Sequence, residues 1–148
     1  MTTINELPMN SGFLSLLEPR LISAENGTSE IELPLRGELL NGWGVVHGGV
    51  TMSLCDMALA FAARTLAEPN AGLVTVEMKV SFMQPGQGLL RAHGRVLHRS
   101  TTMAYCEGEV RDEEGHFVAK ALGTFKYVGK LTIGRRVLER QFEPAADA

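Results

Sequence analysis

The stretch "NGWGVVHGGVTMSLCDMALAFAARTL", Asn41 to Leu66, decides how this 148-residue chain is read. From Val50 onward it is almost uninterruptedly apolar, yet one carboxylate, Asp56, sits in the middle. Its Ala, Leu and Met content favours a helix over about Gly48 to Leu66, and it is too long for an ordinary strand. A helix apolar nearly all round must be covered on most sides. An isolated charge in such surroundings costs several kcal/mol or shifts its pKa until it is neutral. Asp56 therefore either serves a function, faces solvent along a narrow stripe, or pairs with a structural Arg. Arg64 is eight residues on, about 12 Å along a helix, and is not an intrahelical partner.

Working outward, the period changes to two after "AEPNAG". In "VTVEMKVSF", Val74, Val76, Met78, Val80 and Phe82 share one face, and Thr75, Glu77, Lys79 and Ser81 the other. "LLRAHGRVLHR", "TMAYCEGEVRD" and "FVAKALGTFKYV" follow, separated by "QPGQG", "ST" and "EEGH" turns. Four strands with short turns read as an antiparallel meander. Upstream, "TSEIELPLRG" alternates Ile31, Leu33 and Leu35 with polar residues, and Pro34 suits a strand end or edge. "SGFLSLLEPRLIS" reads as a short helix, about residues 10–18, ended near Pro19. The tail from about residue 130 to 148 is expected to fray. A curved antiparallel sheet wrapped around the one long helix would cover it. Such a sheet still has open edges, so self-association is expected.

The bulk numbers bound the function. The length suits one domain, residues 1–148, with its core at about 28–128. A net charge of -3 gives no broad basic surface for a phosphate backbone, so nucleic acid is not an expected partner. The N-terminus lacks a signal peptide pattern, and the apolar run, interrupted by Asp56 and Arg64, is no membrane span. Cys55 and Cys106 have neither CxxC nor zinc spacing and fit buried thiols in a reducing, cytoplasmic setting. The four His are scattered, and His93 and His98, five apart on a strand, point to opposite faces, so no metal site is expected. A Ser53–His47–Asp56 triad lacks the GxSxG elbow.

Gly48 and Gly49 stand at the expected helix start. There the first N–H groups have no helical acceptors and the dipole favours negative charge. Glycine admits a ligand close to that backbone, and an oxyanion developing on a carbonyl would be well placed. Asn41 and His47 add side chains able to orient a carbonyl, a water or the glycine loop. Gly48 and Asp56 are eight residues apart, again about 12 Å along one helix. A base or nucleophile must lie within about 3–3.5 Å of the atom it attacks. If both groups act on one carbonyl, two chains must supply them, and a two-fold dimer would hold two equivalent sites.

"NGWGVVHGG" followed by "VTMSLCD" resembles the hotdog-fold acyl-CoA thioesterases, in the PaaI-like (phenylacetic acid degradation) branch. Asn41, Gly44, His47, Gly48, Gly49 and Asp56 fall in register with that branch's pattern. The resemblance implies an α+β hotdog fold, with five to six strands around the central helix. It implies Asp56 as nucleophile or general base and the Gly48 N–H as the group polarising the thioester carbonyl. His47 would support the loop, Asn41 would position the carbonyl or the hydrolytic water, and Thr75 would assist beside the carboxylate. Gly49, Arg99, Ser100 and Thr101 would contact CoA or substrate. An Asp rather than a Glu on this helix favours the PaaI-like branch over menaquinone-pathway relatives. The resemblance also implies homodimers pairing into homotetramers, an acyl-CoA as substrate, no cofactor and no metal. A hotdog hydratase or dehydratase, or an acyl-CoA-binding protein without catalysis, are the alternatives on the same fold.

Overall fold

The computed structural model describes residues 11–139. Helix α1 (Gly12–Leu17) is followed by strands β1 (Arg20–Glu25) and β2 (Thr28–Pro34), a short 3-10 turn at Gly37–Leu39, and helix α2 (Gly48–Arg64). Strands β3 (Gly72–Phe82), β4 (Leu89–Arg99), β5 (Met103–Arg111) and β6 (Phe117–Val128) complete the main sheet. A two-stranded ribbon, β7 (Thr132–Ile133) and β8 (Arg136–Val137), ends the described chain. Part of the tail expected to fray therefore forms a hairpin, while residues 140–148 lie outside the described residues.

The six-stranded sheet has the order β1-β2-β4-β5-β6-β3, with every pair antiparallel. This corrects the meander expected from sequence. Of the four strands after α2, only β4, β5 and β6 follow one another in the sheet; β3 lies beside β6 at the far edge. The segment after Phe82 is thus a crossing connection, tied to β6 by Met83 N–H to Val118 O at 2.8 Å and to the loop before α2 by Val46 N–H to Gly86 O at 3.0 Å. Strand β1 was not anticipated. Its residues pair with β2 from Arg20↔Glu32 to Glu25↔Thr28 around a turn at Asn26 and Gly27, both with positive φ. Gly27 has φ +77°, which glycine adopts without steric cost.

Helix α2 lies in the concave face of the sheet, and nine of its seventeen residues are buried. Its Leu54, Ala58, Leu59 and Phe61 meet Ile31, Leu33, Leu90, Val110 and Phe125 in one core. Close approach is allowed by glycine at the contact. A Cβ on Gly94 would fall 2.6 Å from the Ala58 carbonyl carbon, and one on Gly108 2.9 Å from the Leu59 side chain. Ser29 seals the junction, its Oγ donating to Ala58 O at 2.6 Å. At its far end α2 is held by Tyr127, whose hydroxyl donates to Ala63 O at 2.6 Å.

Two bulges reset the strand periodicity. In β3 the register slips between Thr75 and Glu77, which pair with the adjacent residues Phe125 and Thr124. Val76 is the extra residue. Thr75 therefore shares the helix-facing side with Met78 and Val80, not the solvent face with Glu77 that strict alternation assigns. In β4 the slip between Val96 and His98 makes Leu97 the extra residue. His93 and His98 then oppose Glu109 and Tyr105, four apart on β5, so both face outward rather than to opposite sides. The outer face carries cross-strand pairs such as Arg91 with Glu32, 3.1 Å, Lys120 with Glu107, 3.4 Å, and Arg95 with Glu107. These exposed pairs keep that face solvated and contribute under about 1 kcal/mol each.

Candidate active site

The start of α2 is built by one folded-back loop. Asn41 N–H donates to Val45 O at 2.8 Å, Gly44 N–H to Asn41 O at 3.0 Å, and Trp43 N–H to Asn41 Oδ1 at 2.9 Å. Gly44 takes φ +76°, so the Asn-x-x-Gly spacing has a conformational cause. Asn41 thus spends its side-chain oxygen on the loop. His47 is the N-cap residue, and its Nδ1 accepts from Gly49 N–H at 2.9 Å. The neutral ring therefore carries its proton on Nε2. A Cβ on Gly49 would sit 3.1 Å from that Nδ1, a tight contact that the His47 ring would have to shift to relieve.

The two glycine amides have consequently parted roles. Gly49 N–H is taken by His47, so the contact to substrate expected of Gly49 is not open to its amide. Gly48 stands at the first helical position, where no intrahelical acceptor exists and the helix dipole favours negative charge. It opens into a cleft of about 600 Å³ lined by Asn41, Trp43, Thr51, Phe82 and Pro85 as well. Trp43, the single Trp of the chain, is 90% exposed on its rim.

Asp56 lies two turns further along α2. It is half-buried rather than sunk in the core, on the stripe Met52–Asp56–Ala60 that the chain's own sheet leaves uncovered. Thr75 Oγ1 donates to Asp56 Oδ1 at 2.8 Å. The bulge at Val76 is what turns Thr75 toward the helix. Asp56 sits at the edge of a second, mostly apolar chamber of about 360 Å³, lined also by Phe13, Leu14, Met52, Met57 and Phe61. The chamber and the Gly48 cleft share no lining residue. Asp56 and Thr75 are brought together; Gly48, His47 and Asn41 are brought together; within one chain the two groups stay apart.

Arg99, Ser100 and Thr101 lie at the opposite end of α2. Arg99 Nε donates to Leu66 O at 2.9 Å and Nη1 to Ser100 O at 3.0 Å, with its guanidinium 4.4 Å from the Tyr127 ring centre. Ser100 Oγ accepts from Met103 N–H at 3.0 Å, and Thr101 is exposed. Arg99 and Ser100 are therefore engaged in holding the β4–β5 turn against the helix end. Cys55, next to Asp56, points into the core. Burial, and secondarily the Asp56 charge, pushes its thiol up to about 12; burial pushes Cys106 up to about 11. Neither is a nucleophile at neutral pH. Among the described residues no three His, Cys, Asp or Glu gather as a metal cluster, and no helix is long and apolar enough to cross a membrane.

Sequence reading did not foresee Phe13 and Leu14 at the chamber or Trp43 at the cleft. The apolar residues of α1 are its only signal for the first, and an unexplained Trp inside the loop motif for the second.

Known proteins match this arrangement. A family model for the thioesterase superfamily matches residues 43–119, a span that contains Gly48, Asp56 and Thr75. A Saccharolobus solfataricus protein named "Putative esterase" is 34% identical over 110 residues, 74% of this chain and 78% of that protein. Among solved structures, a conserved protein from Pseudomonas aeruginosa superposes with a TM-score of 0.77 at 32% identity, covering 82% of this chain and 97% of that one. The E. coli PaaI protein from the phenylacetic acid degradation operon superposes with a TM-score of 0.74 at 24% identity, covering 81% and 86%. That likeness is one of fold. The sheet wrapped around one central helix is the hotdog architecture expected from sequence, and with the family model covering more than half of its length the chain belongs to the thioesterase superfamily.

Proposed function

We propose that the protein is an acyl-CoA thioesterase that hydrolyses acyl-S-CoA to a carboxylic acid and free CoA. In this reading it works as a dimer in which Asp56 of one chain faces Gly48 of the other. The observation that carries it is the pairing of an oriented carboxylate with an unspent helix N-terminus in two separate cavities. Each half lacks what the other has, and about 12 Å of helix divides them. A two-fold dimer removes the gap. Strand β3 supports this mode of pairing. It is an eleven-residue sheet edge, and Val76 and Phe82 on it are more than half exposed. Such an edge is a template for a second strand.

The thioester carbonyl oxygen would take the partner's Gly48 N–H, where the negative charge of a tetrahedral intermediate is stabilised. Thr75 holds Asp56 Oδ1, leaving Oδ2 to accept the proton of a water attacking the carbonyl carbon, or to attack that carbon itself. In the water route the C–S bond breaks as Asp56 passes the proton it took to the departing sulfur; in the direct route CoA leaves as thiolate, protonated from water, and a water then hydrolyses the Asp56–acyl anhydride to free acid and restored carboxylate. Asn41 would orient the carbonyl or water. His47 supports Gly48 indirectly by fixing Gly49. Aryl and arylacetyl thioesters such as phenylacetyl-CoA are the first substrates to try, followed by medium-chain acyl groups. Pairs of dimers would make the homotetramer, in a cytoplasmic setting that suits buried free thiols.

The test is thiol release from a panel of acyl-CoAs by wild type and Asp56→Asn. Asp56→Asn should lower turnover by about 10²–10⁴ with the oligomer intact. Mixed dimers of Asp56→Asn with a Gly48→Pro chain should recover part of the activity, because one of the two sites is then whole. Full turnover in Asp56→Asn would remove the carboxylate from the mechanism. Hydration of enoyl-CoA without thiol release would make the protein a hydratase. Binding of intact CoA esters for hours would make it a carrier or sensor.

A further inference from the structure

We propose that α1 is the outer wall of an acyl-binding chamber beside Asp56, and that Phe13 and Leu14 on it select uncharged, apolar acyl groups. This rests on the thioesterase reading and names the substrate class of that site.

The chamber has two walls of different origin. The inner wall is the uncovered stripe of α2, with Met52, Asp56 and Ala60, backed by buried Met57 and joined by Met78 of β3. The outer wall is Ser11, Phe13 and Leu14. Helix α1 is pinned at the end away from the chamber. Leu17 is buried, Arg36 Nη1 donates to Leu17 O at 3.1 Å, and its Nη2 donates to Leu16 O. Glu18 closes the helix in a left-handed conformation, φ 59°. The residues nearest the chamber are thus presented from a fixed base. Leu14 packs on the core, while Phe13 is 55% exposed. A ring left half in water beside an apolar chamber gains from any apolar group that buries it.

The lining also states what is refused. Its polar atoms are the Asp56 carboxylate and the hydroxyls of Ser11 and Ser53. Ser53 Oγ donates to Gly49 O at 2.8 Å, and Ser11 Oγ accepts from Leu14 N–H at 3.1 Å, so only the Ser53 proton is already spent. Among the described residues no Lys, Arg or His lines the chamber. A second carboxylate on the acyl group would lose water, find no cation and meet the Asp56 charge. The volume, about 360 Å³, lies near the small end of ligand pockets, which run from about 300 to 1,000 Å³, and suits one acyl group rather than CoA. Three Met side chains adapt its shape, so a ring and a short alkyl chain are both accommodated.

The experiment measures kcat/KM for acetyl-, hexanoyl-, phenylacetyl- and succinyl-CoA with wild type, Phe13→Ala, Phe13→Leu and Leu14→Ala. In parallel, the methionine methyl NMR signals of wild type and Phe13→Ala are titrated with 2-phenylethanol. Wild type should favour hexanoyl and phenylacetyl over acetyl, with succinyl lowest. Phe13→Ala and Leu14→Ala should each cost about tenfold on the two larger apolar substrates, mostly in KM, and about twofold or less on acetyl. Phe13→Leu should restore most of the loss. The alcohol should shift Met52, Met57 and Met78, and bind Phe13→Ala more weakly. Succinyl turned over as well as hexanoyl, equal losses across the panel, or unchanged selectivity in the variants would each overturn the proposal. If wild type releases no thiol from any ester, the thioesterase reading fails by itself. The wall is then judged on the alcohol alone, and unmoved methyls or an unchanged affinity in Phe13→Ala overturn it.

Discussion

Gly94→Ala tests whether the sheet–helix distance sets the geometry of the site. The added methyl would lie 2.6 Å from the Ala58 carbonyl carbon, closer still to its oxygen, and 2.9 Å from Ser29 Oγ. Ordinary contact between such atoms begins near 3.5 Å. Helix α2 must therefore lift by about 1 Å at Ala58, because the obstacle is backbone and no rotamer change removes it. Overpacking of this kind costs about 1–3 kcal/mol. Loss of the Ser29–Ala58 hydrogen bond adds about 1 kcal/mol, offset by the lower unfolded-state entropy of Ala, about 0.5–1 kcal/mol. The net is about 1–3.5 kcal/mol, or a fall in Tm of about 2–14 °C for a domain of this size. Asp56 is two residues from Ala58, and its bond to Thr75 is already at 2.8 Å. A shift of about 1 Å at a reacting group costs on the order of 10² in rate. Thiol release measured well below the variant's own Tm should thus fall by far more than the fraction unfolded explains. Gly37→Ala, where no atom lies within 4 Å of the new methyl, is the control. A Gly94→Ala protein with wild-type Tm and wild-type turnover would refute the reasoning, since the coupling of helix height to catalysis would then be absent.

Thr75→Val keeps the shape of that side chain but removes its hydroxyl, so kcat should fall about tenfold with KM little changed; a KM effect alone would assign Thr75 to binding. Cys55 and Cys106, buried and raised to about 12 and about 11, should not react with a disulfide reagent at pH 8 in the native protein; both should titrate in guanidinium. Burial alone would raise the Asp112 carboxyl, but hydrogen bonds from the His116 ring and from the His116 and Glu114 amides outweigh it and hold the group below the usual carboxylate range. The same ring bond, helped by the Asp112 charge, raises His116. The Asp112 contribution is present above its unfolded pKa and fades as pH falls through the lowered value; the His116 contribution is present below its unfolded pKa and fades as pH rises through the raised value. The Tm deficit of His116→Gln should therefore peak between about pH 4 and 6.5 and shrink by about pH 9, and a deficit constant across that range would contradict the pairing.

The long helix, the alternating strands and the glycine–aspartate spacing were legible because each rests on a local pattern. Ala-, Leu- and Met-rich sequence makes α2 a helix whatever surrounds it, and Asn41, Gly44 and His47 shape their loop through bonds to near neighbours. What failed to show depends on partners distant in the chain. Strand β1 follows Pro19 and is short, and only pairing with β2 makes it a strand. Neighbours in sequence usually pair, which is why β3 was read beside β4. The true order depends on which strand closes over α2, a property of the whole sheet. The bulges are likewise invisible to a count of two, since Val76 and Leu97 are ordinary strand residues.

The bulge at Val76 ties fold to function. Without it, Thr75 would keep phase with Glu77 and Lys79 on the solvent face, and Met78 and Val80 could still pack on the helix. The slip also turns Leu73, two residues before Thr75, toward the core it packs against. It leaves Val76 half in water on an open edge and disrupts one ladder position, both of which cost stability. Its yield is a hydroxyl placed 2.8 Å from Asp56 on a strand that is also the free edge of the sheet. Bulges of this kind re-aim side chains beside active sites. Here one extra residue lets Thr75 hold the Asp56 carboxylate from the strand along which, in the proposed dimer, a second chain would bring its own Gly48 into reach. In the proposed dimer the edge that pairs and the strand that aims the acid would be the same element, so dimerisation and catalytic geometry would be specified together.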